Sequence, residues 1–198
     1  IEEAEITSSF VGPLTQIHHH ALLIGALWPQ GRGNLGYGAN VGSNHTGKMP
    51  DQEIHIGGGL FFGLGCNVKF PTNFTESPYS LLATGVITSP QRLRFPFSLI
   101  RQPAFPPGHI DQTLNEIVPG WNYLHNAFAL ERAQFKFAQR SKGLGESLEL
   151  PLYNADLARL VVDSWNRLQV TAIRDFYTEA HIDGLGSNFM SEVTRQHA

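Results

Sequence analysis

The sequence predicts a parallel β-helix followed by an α-helical region. A bulky apolar residue recurs at every sixth position, at Ile56, Phe62, Val68 and Phe74. A period of six matches neither an α-helix nor an ordinary strand, and short fixed periods of this kind are typical of parallel β-helices. Further along the chain the apolar spacing becomes helical. We therefore predict a β-helix with inserted loops in residues 1–102 and a helical region in residues 109–198, packed on the β-helix or on a neighbouring subunit.

The same sixfold spacing extends upstream of this run. It is clear at Leu35 and Val41 and looser at Val11, Ile17 and Leu23. Three hexads make one triangular coil of about 18 residues, in which equivalent residues of successive coils stack ~4.8 Å apart. The bulky residues are expected to point into the coil.

Two segments interrupt the spacing, residues 29–34 and residues 47–53. The first carries a Pro and two Gly around Arg32, which is typical of a loop. We expect both segments to protrude from corners of the coil, where insertions leave the stacked strands intact and binding groups are often carried.

The second half predicts several helices. One apolar face is formed by Ile110, Leu114, Ile117, Val118, Trp121, Leu124 and Phe128. Pro119-Gly120 should divide it into a short helix and a long one that ends near Arg140. A second long helix, capped by Asn154 or Asp156, is expected to bury Leu157, Leu160, Val161, Trp165 and Leu168. A third is expected over residues 173–180.

Composition excludes some functions. The 198-residue chain has a net charge of -3, which gives no broad basic surface for nucleic acid. The single Cys66, expected in the core, rules out an internal disulfide and suits a reducing cytoplasm. No apolar run approaches the ~20 residues of a membrane span. We predict a cytoplasmic location, and a chain that begins at Ile1 is expected to be part of a longer protein.

The strongest candidate for chemistry is His45, at the junction between a coil and the second inserted loop. An imidazole titrates close to working pH and suits general-base catalysis. Asn44 would orient it or bind an acceptor, and Lys48 or Arg32 would contact a phosphate. Asp51 and His55 would form an acid–histidine pair that binds substrate. The alternative is that His45 only makes hydrogen bonds within the corner.

A metal site is not the first expectation. If one exists, His18 and His20 would ligate a zinc-like ion together with His45, because alternate residues of a strand share a side. The alternative is that the run from His18 to His20 is a row of polar residues on a solvated face.

The segment from Gly38 to Glu53, with the Gly-rich run after it, resembles the hexapeptide-repeat, left-handed β-helix superfamily of acyltransferases and sugar-nucleotide transferases. It is most similar to a family of large Bacteroides-type bacterial proteins labelled as similar to UDP-N-acetylglucosamine pyrophosphorylase or hexapeptide transferases. The resemblance implies a homotrimer with active sites between adjacent β-helices, acyl-CoA or a sugar nucleotide as donor, and a His base. It extends to no acceptor-binding motif.

Three functions follow as hypotheses. The first is a hexapeptide-type transferase that moves an acyl group onto a sugar or sugar-nucleotide acceptor. The second is a non-catalytic trimerisation or regulatory module of a larger sugar-nucleotide enzyme. The third is a metal-dependent hydratase or lyase with His ligands.

Overall fold

The chain folds into a parallel β-solenoid of about five turns, followed by two helices. The computed structural model describes residues 1, 3–42, 54–103, 115–140 and 151–170. The predicted β-helix and the predicted helical region after it are both confirmed.

Sixteen short strands occur in these ranges. In chain order they are β1 (Glu5–Thr7), β2 (Phe10–Val11), β3 (Gln16–Ile17), β4 (Leu22–Ile24), β5 (Ala26–Trp28), β6 (Asn34–Leu35), β7 (Asn40–Val41), β8 (Ile54–His55), β9 (Phe61–Phe62), β10 (Asn67–Val68), β11 (Thr72–Asn73), β12 (Leu81–Leu82), β13 (Ile87–Thr88), β14 (Gln91–Arg92), β15 (Leu99–Arg101) and β16 (Glu116–Val118).

The strands form three faces of the solenoid. The first face is β1-β4-β7-β10-β13, the second is β2-β5-β8-β11-β14, and the third is β3-β6-β9-β12-β15-β16. Every third strand therefore pairs with the one before it in the same face. The first, second and third corners are the turns that lead from the first to the second face, from the second to the third, and from the third back to the first.

The core is a column of inward side chains on each face. On the third face the register aligns one apolar residue from each coil, all at most 2% exposed: Ile17, Leu35, Phe62, Leu82 and Ile100. On the first face Leu23, Val41 and Val68 align in the same way and are fully buried. The sixfold spacing therefore predicted the inward positions correctly.

The first interruption, residues 29–34, is not a protruding loop. Gly31 and Gly33 are buried, and Leu35 pairs with Ile17, one coil of eighteen residues earlier. Only the apolar spacing changes here. A single residue, Gly25, separates β4 from β5, so the inward residue Trp28 comes five positions after Leu23 instead of six. A local excess of Gly and Pro concealed an unbroken coil.

The second interruption is a true insertion at the first corner. Thirteen positions lead from Val41 to Ile54, whereas three lead from Leu23 to Ala26, the residues with which these two pair. The coils on either side stay in register, so the insertion leaves the stack intact. Residues 43–53 lie outside the described part of the chain.

The last coil is extended by an antiparallel strand. Ile117 and Val118, predicted to be helical, instead form β16 and pair with Ile100 and Leu99. The open edge of β15 offers backbone partners that a short isolated helix would not have. Ile110 and Leu114 lie outside the described residues.

Two helices follow, α1 (Trp121–Arg140) and α2 (Ala155–Val170). Helix α1 is described as far as Arg140, and the residues that would show its end, 141–150, lie outside the described part of the chain. The cap of α2 is Asn154, whose Oδ1 accepts a hydrogen bond from the Leu157 amide at 2.9 Å, as predicted. The third helix, predicted over residues 173–180, lies outside the described residues. Neither α1 nor α2 combines the length and the apolarity that crossing a membrane requires.

The helices bury less of their apolar surface than the sequence predicts. Leu130 and Leu157 pack against Phe97 of the solenoid, and Ser164 is buried against the Arg94 carbonyl oxygen. The expected core residues Val161, Trp165 and Leu168 are exposed, as are Leu124 and Phe128, while Trp121 is half-buried. Helical spacing identifies an apolar stripe but does not say whether anything covers it.

Replacing Phe62 tests the core. Phe62 is fully buried and lies edge-on to the Trp28 ring, with centroids 5.5 Å apart. Phe62→Ala should lower the free energy of unfolding by about 3–5 kcal/mol, because it removes a ring from a packed interior. The control, Leu64→Ala on an exposed turn, should cost less than about 1 kcal/mol. Urea denaturation measures both, and equal losses would contradict this packing.

Cys66 should be unreactive in the folded protein. Burial raises the pKa of its thiol to about 12, against an ordinary value of 9.0. The folded thiol stays protonated while the unfolded one ionises, so this group should make the protein less stable as the pH rises from about 9 towards 12. Iodoacetamide at pH 8 should label Cys66 in urea at least about a hundredfold faster than in buffer. Equal labelling rates would show that the thiol is accessible.

Candidate functional site

The second corner carries side chains where the backbone favours glycine. Five stacked residues there, one from each coil, have a φ between 57° and 69°: Leu14, Arg32, Gly59, Tyr79 and Phe97. In the second coil Gly31, next to Arg32, also has a φ of 58°. This left-handed conformation costs a residue with a side chain roughly 1–2 kcal/mol. At the third corner the corresponding positions of the last three coils are Gly38, Gly65 and Gly85. The second corner thus keeps four side chains at a conformational cost, a feature that is common at functional sites.

Backbone hydrogen bonds hold these residues one above another. The Arg32 amide donates to the Pro13 carbonyl oxygen at 2.9 Å, and the Gly59 amide donates to Gly31 at 2.9 Å. The Tyr79 amide donates to Gly58 at 2.8 Å. The corner is therefore a regular ladder in which each left-handed residue rests on the coil below.

Gly59 brings two distant coils together. A Cβ atom added at Gly59 would lie 2.3 Å from Cδ1 of Tyr79, so the tyrosine ring occupies the space of the missing side chain. Across that gap Nη1 of Arg32 donates a hydrogen bond to the Tyr79 hydroxyl at 3.2 Å. Arg32 and Tyr79 belong to coils two steps apart, about 10 Å along the solenoid axis.

Tyr79 begins a row of aromatic rings. It stacks on Phe97 with centroids 5.6 Å apart and an interplanar angle of 16°. Phe97 contacts Tyr123 at 5.5 Å, and Tyr123 contacts Tyr153 edge-on at 6.4 Å. The start of α1 is fixed to the same corner, because the Asn122 side-chain amide donates to the Tyr79 carbonyl oxygen at 2.6 Å. The row joins the corner to both helices.

Helix α2 lies along the corner and closes a cleft. Its first turns face the coil of Arg32, and Ser164 donates to the Arg94 carbonyl oxygen three coils further on. Ten helical residues span about 15 Å, close to three coil spacings of ~4.8 Å, so α2 can follow the ladder. The cleft has a volume of about 310 Å³. It is lined by Pro13, Pro29, Gln30, Arg32, Gly58, Thr75, Pro78 and Tyr79 of the solenoid and by Asn154, Asp156, Leu157 and Leu160 of the helix.

The cleft is lined by one positively charged side chain, Arg32, and one negatively charged side chain, Asp156. Nη1 of Arg32 also donates to the Pro151 carbonyl oxygen at 3.4 Å, which ties the lead into α2 to the corner. On the helix side the exposed Asp156 carboxylate pairs with Arg159 at 3.1 Å, an interaction that solvent weakens. A pocket with apolar walls and a few fixed polar groups is the usual form of a small-molecule site.

His55 lies on the second face, next to the inserted loop. It is half-buried on β8, and its neighbours in register are Leu27 and Asn73. Arg32 lies at the second corner, whereas the loop joins β8 at the first corner. Of the predicted substrate-binding residues, these two therefore occupy opposite sides of the second face.

The histidine run does not form the predicted strand. His19 and His20 lie in the third corner, where His20 has a φ of 56°, so strand alternation does not apply to them. Nδ1 of His19 is 3.1 Å from Oε2 of Glu3, and the His20 ring meets Tyr37 edge-on at 5.5 Å. His18 follows β3 and is half-buried. The described residues contain no group of three or more His, Cys, Asp or Glu placed to hold a metal ion.

Four predicted site residues, Asn44, His45, Lys48 and Asp51, lie outside the described residues. The structure places only the two ends of their segment, at β7 and β8. Arg32 is the predicted residue that lies in the cleft.

The predicted site residues did not include Gly59, Tyr79 or the side chains of α2 that line the cleft. A signal for the first two was present. Each of the five stacked left-handed residues lies three positions before an inward residue of the third face, as Tyr79 does before Leu82. Counting back from the apolar column would have aligned Arg32, Gly59 and Tyr79.

These features define the class of protein: a parallel β-solenoid with a helix-covered cleft at one corner. No protein-family model matches the chain, and no solved structure matches it. It is similar to an uncharacterised protein of Treponema pallidum (strain Nichols), with 29% identity over 138 residues. The match covers 70% of this chain and 18% of the length of that relative.

Substitution of glycines tests the gap at the second corner. Gly59 and Gly65 have similar φ values of 69° and 63°, but a Cβ at Gly65 would meet nothing within 4 Å. Gly65→Ala should therefore lower the free energy of unfolding only by the cost of the left-handed conformation, about 1–2 kcal/mol. Gly59→Ala should lose about 1–3 kcal/mol more in urea denaturation, because it displaces the Tyr79 ring. Equal losses would mean that the ring moves aside freely.

Proposed function

We propose that this chain is the solenoid part of a hexapeptide-type transferase that moves an acyl group onto a sugar or sugar-nucleotide acceptor. The observation that carries the proposal is the corner cleft, whose lining includes Arg32. Arginine suits phosphate recognition because its N–H groups match the spacing of phosphate oxygens. The left-handed winding, the homotrimer and the cytoplasmic location expected from the sequence belong to this proposal.

The proposed chemistry divides between two corners. His45 in the inserted loop would remove a proton from the acceptor hydroxyl or amine, and Asn44 would orient it. Lys48, Asp51 and His55 would bind substrate at the same side of the second face. Arg32 would hold a phosphate of the donor at the other side.

The separation of these corners favours a long donor. Five residue steps lead from Ile54 to Gly59 along the coil, at most about 16 Å for a fully extended chain. A single sugar ring is much shorter than that distance. Acyl-CoA or a sugar nucleotide, with a phosphate at one end and the reacting group at the other, is long enough to cross the face.

A second candidate is a non-catalytic trimerisation or regulatory module of a larger sugar-nucleotide enzyme. The length of the relative favours it, because the matched part is 18% of that protein. In this case the cleft would bind a regulatory ligand, and His45 would have no role in catalysis. The third candidate, a metal-dependent hydratase or lyase, has no described ligand set in its favour.

Ligand-induced stabilisation tests the proposal. The melting temperature of the full chain is measured with acetyl-CoA, with coenzyme A and with UDP-N-acetylglucosamine. Arg32→Gln should weaken binding of the stabilising compound about 10- to 100-fold, the effect of one charge-assisted phosphate contact. The control, Arg101→Gln, breaks the pair with Glu116 on the third face at 2.9 Å and should leave binding unchanged.

The His45→Ala variant separates the candidates. In a transferase it should abolish acyl transfer to a sugar acceptor while the donor still binds through Arg32. In a regulatory module it should change neither binding nor any turnover. If no compound shifts the melting temperature of the wild-type chain, the transferase proposal is wrong.

A further inference from the structure

Helix α1 exposes three large apolar side chains. Leu124, Phe128 and Phe135 are 71%, 73% and 62% exposed. We call these three residues the outer stripe. Phe128 and Phe135 are seven residues apart and lie on one side of the helix, while Leu130 points the opposite way and is buried against the solenoid. Leu124 precedes Asn126, whose φ of -138° interrupts the helix.

This stripe is an unusual surface for a protein in water. Aromatic side chains bury roughly 150–250 Å² each when covered. Two phenylalanines and a leucine at these exposures therefore offer roughly 300–400 Å² of apolar area. That is about half of the ~800 Å² that each partner contributes to a standard interface, and the polar rim normally supplies the rest.

Two oppositely charged side chains flank the outer stripe at nearly the same level along the helix axis. Glu131 and Arg132 are both exposed and lie between Phe128 and Phe135 in the sequence. At about 100° per residue, Glu131 falls on one flank of the stripe and Arg132 on the other. A surface with an acid on one side and a base on the other is complementary to itself in one orientation.

We propose that the outer stripe binds the outer stripe of a second copy of this chain, with the two α1 helices parallel. In that orientation the Glu131 flank of one copy faces the Arg132 flank of the next. Antiparallel helices would instead bring Glu131 near Glu131 and Arg132 near Arg132, which is unfavourable. Side-chain ridges of one helix pack into the grooves of another, so an exposed helical stripe matches a second helix. The inference does not depend on transferase activity.

Molecular mass across a wide concentration range tests this surface, by light scattering and sedimentation of the full chain. The wild type should form an assembly of more than one copy. Phe128→Glu should raise its dissociation constant at least about tenfold, because a central aromatic contact is lost and a charge is placed in the interface. Gln134→Glu, on the same helix but beside the stripe, should leave the mass unchanged. At concentrations where the wild type is also monomeric, the two proteins should have the same melting temperature, because Phe128 is exposed in the single chain.

Charge reversal tests the parallel orientation. Glu131→Arg and Arg132→Glu should each weaken association severalfold, and the double variant should restore it. A wild-type chain that stays monomeric would overturn the proposal and assign the stripe to another protein or another segment of the polypeptide. An assembly whose mass is insensitive to Phe128→Glu would also overturn it, since the contact would then lie elsewhere.

Discussion

Every part of this fold depends on the parallel hydrogen-bond register between successive coils. A residue of one coil has its partner directly above and below, at the spacing of adjacent strands. Each coil turns through three corners before the chain enters the next coil. Extra residues at one corner must therefore leave the strands on either side in register with the neighbouring coils. The long insertion between Val41 and Ile54 satisfies this condition, and Ile54 still pairs with Ala26 of the preceding coil.

The fold was predictable because the inward residues obey a period that no other structure shares. Ile56, Phe62 and Val68 are buried at the positions the spacing assigns. The prediction failed at residues 29–34, where turn-forming residues fill a corner of normal size. The helices themselves were predicted correctly, but their buried side was not, because the sequence of α2 shows an apolar stripe through Trp165 while the solenoid covers Leu157 and Ser164. Which stripe is covered depends on docking, and local periodicity does not record it.

The candidate site was likewise only partly predictable from the sequence. Arg32 was identifiable from its place between two glycines, and its alignment with Gly59 and Tyr79 follows from counting along the coils. The cleft itself was not predictable, since it needs α2 to lie along the second corner more than a hundred residues after Arg32 in the chain. The aromatic row from Tyr79 to Tyr153 likewise joins residues that only the tertiary structure brings together.

The missing side chain at Gly59 shows how the second corner controls which coils are in contact. Coil positions repeat at intervals of ~4.8 Å, so a gap at one coil lets groups on its two neighbours meet across about 10 Å. A side chain at Gly59 would displace the Tyr79 ring from this gap, and a glycine in place of Tyr79 would leave the gap unfilled. The length over which side chains of this corner can meet is thus set in whole coil steps by where glycines interrupt the column. A solenoid can change that length without altering its core.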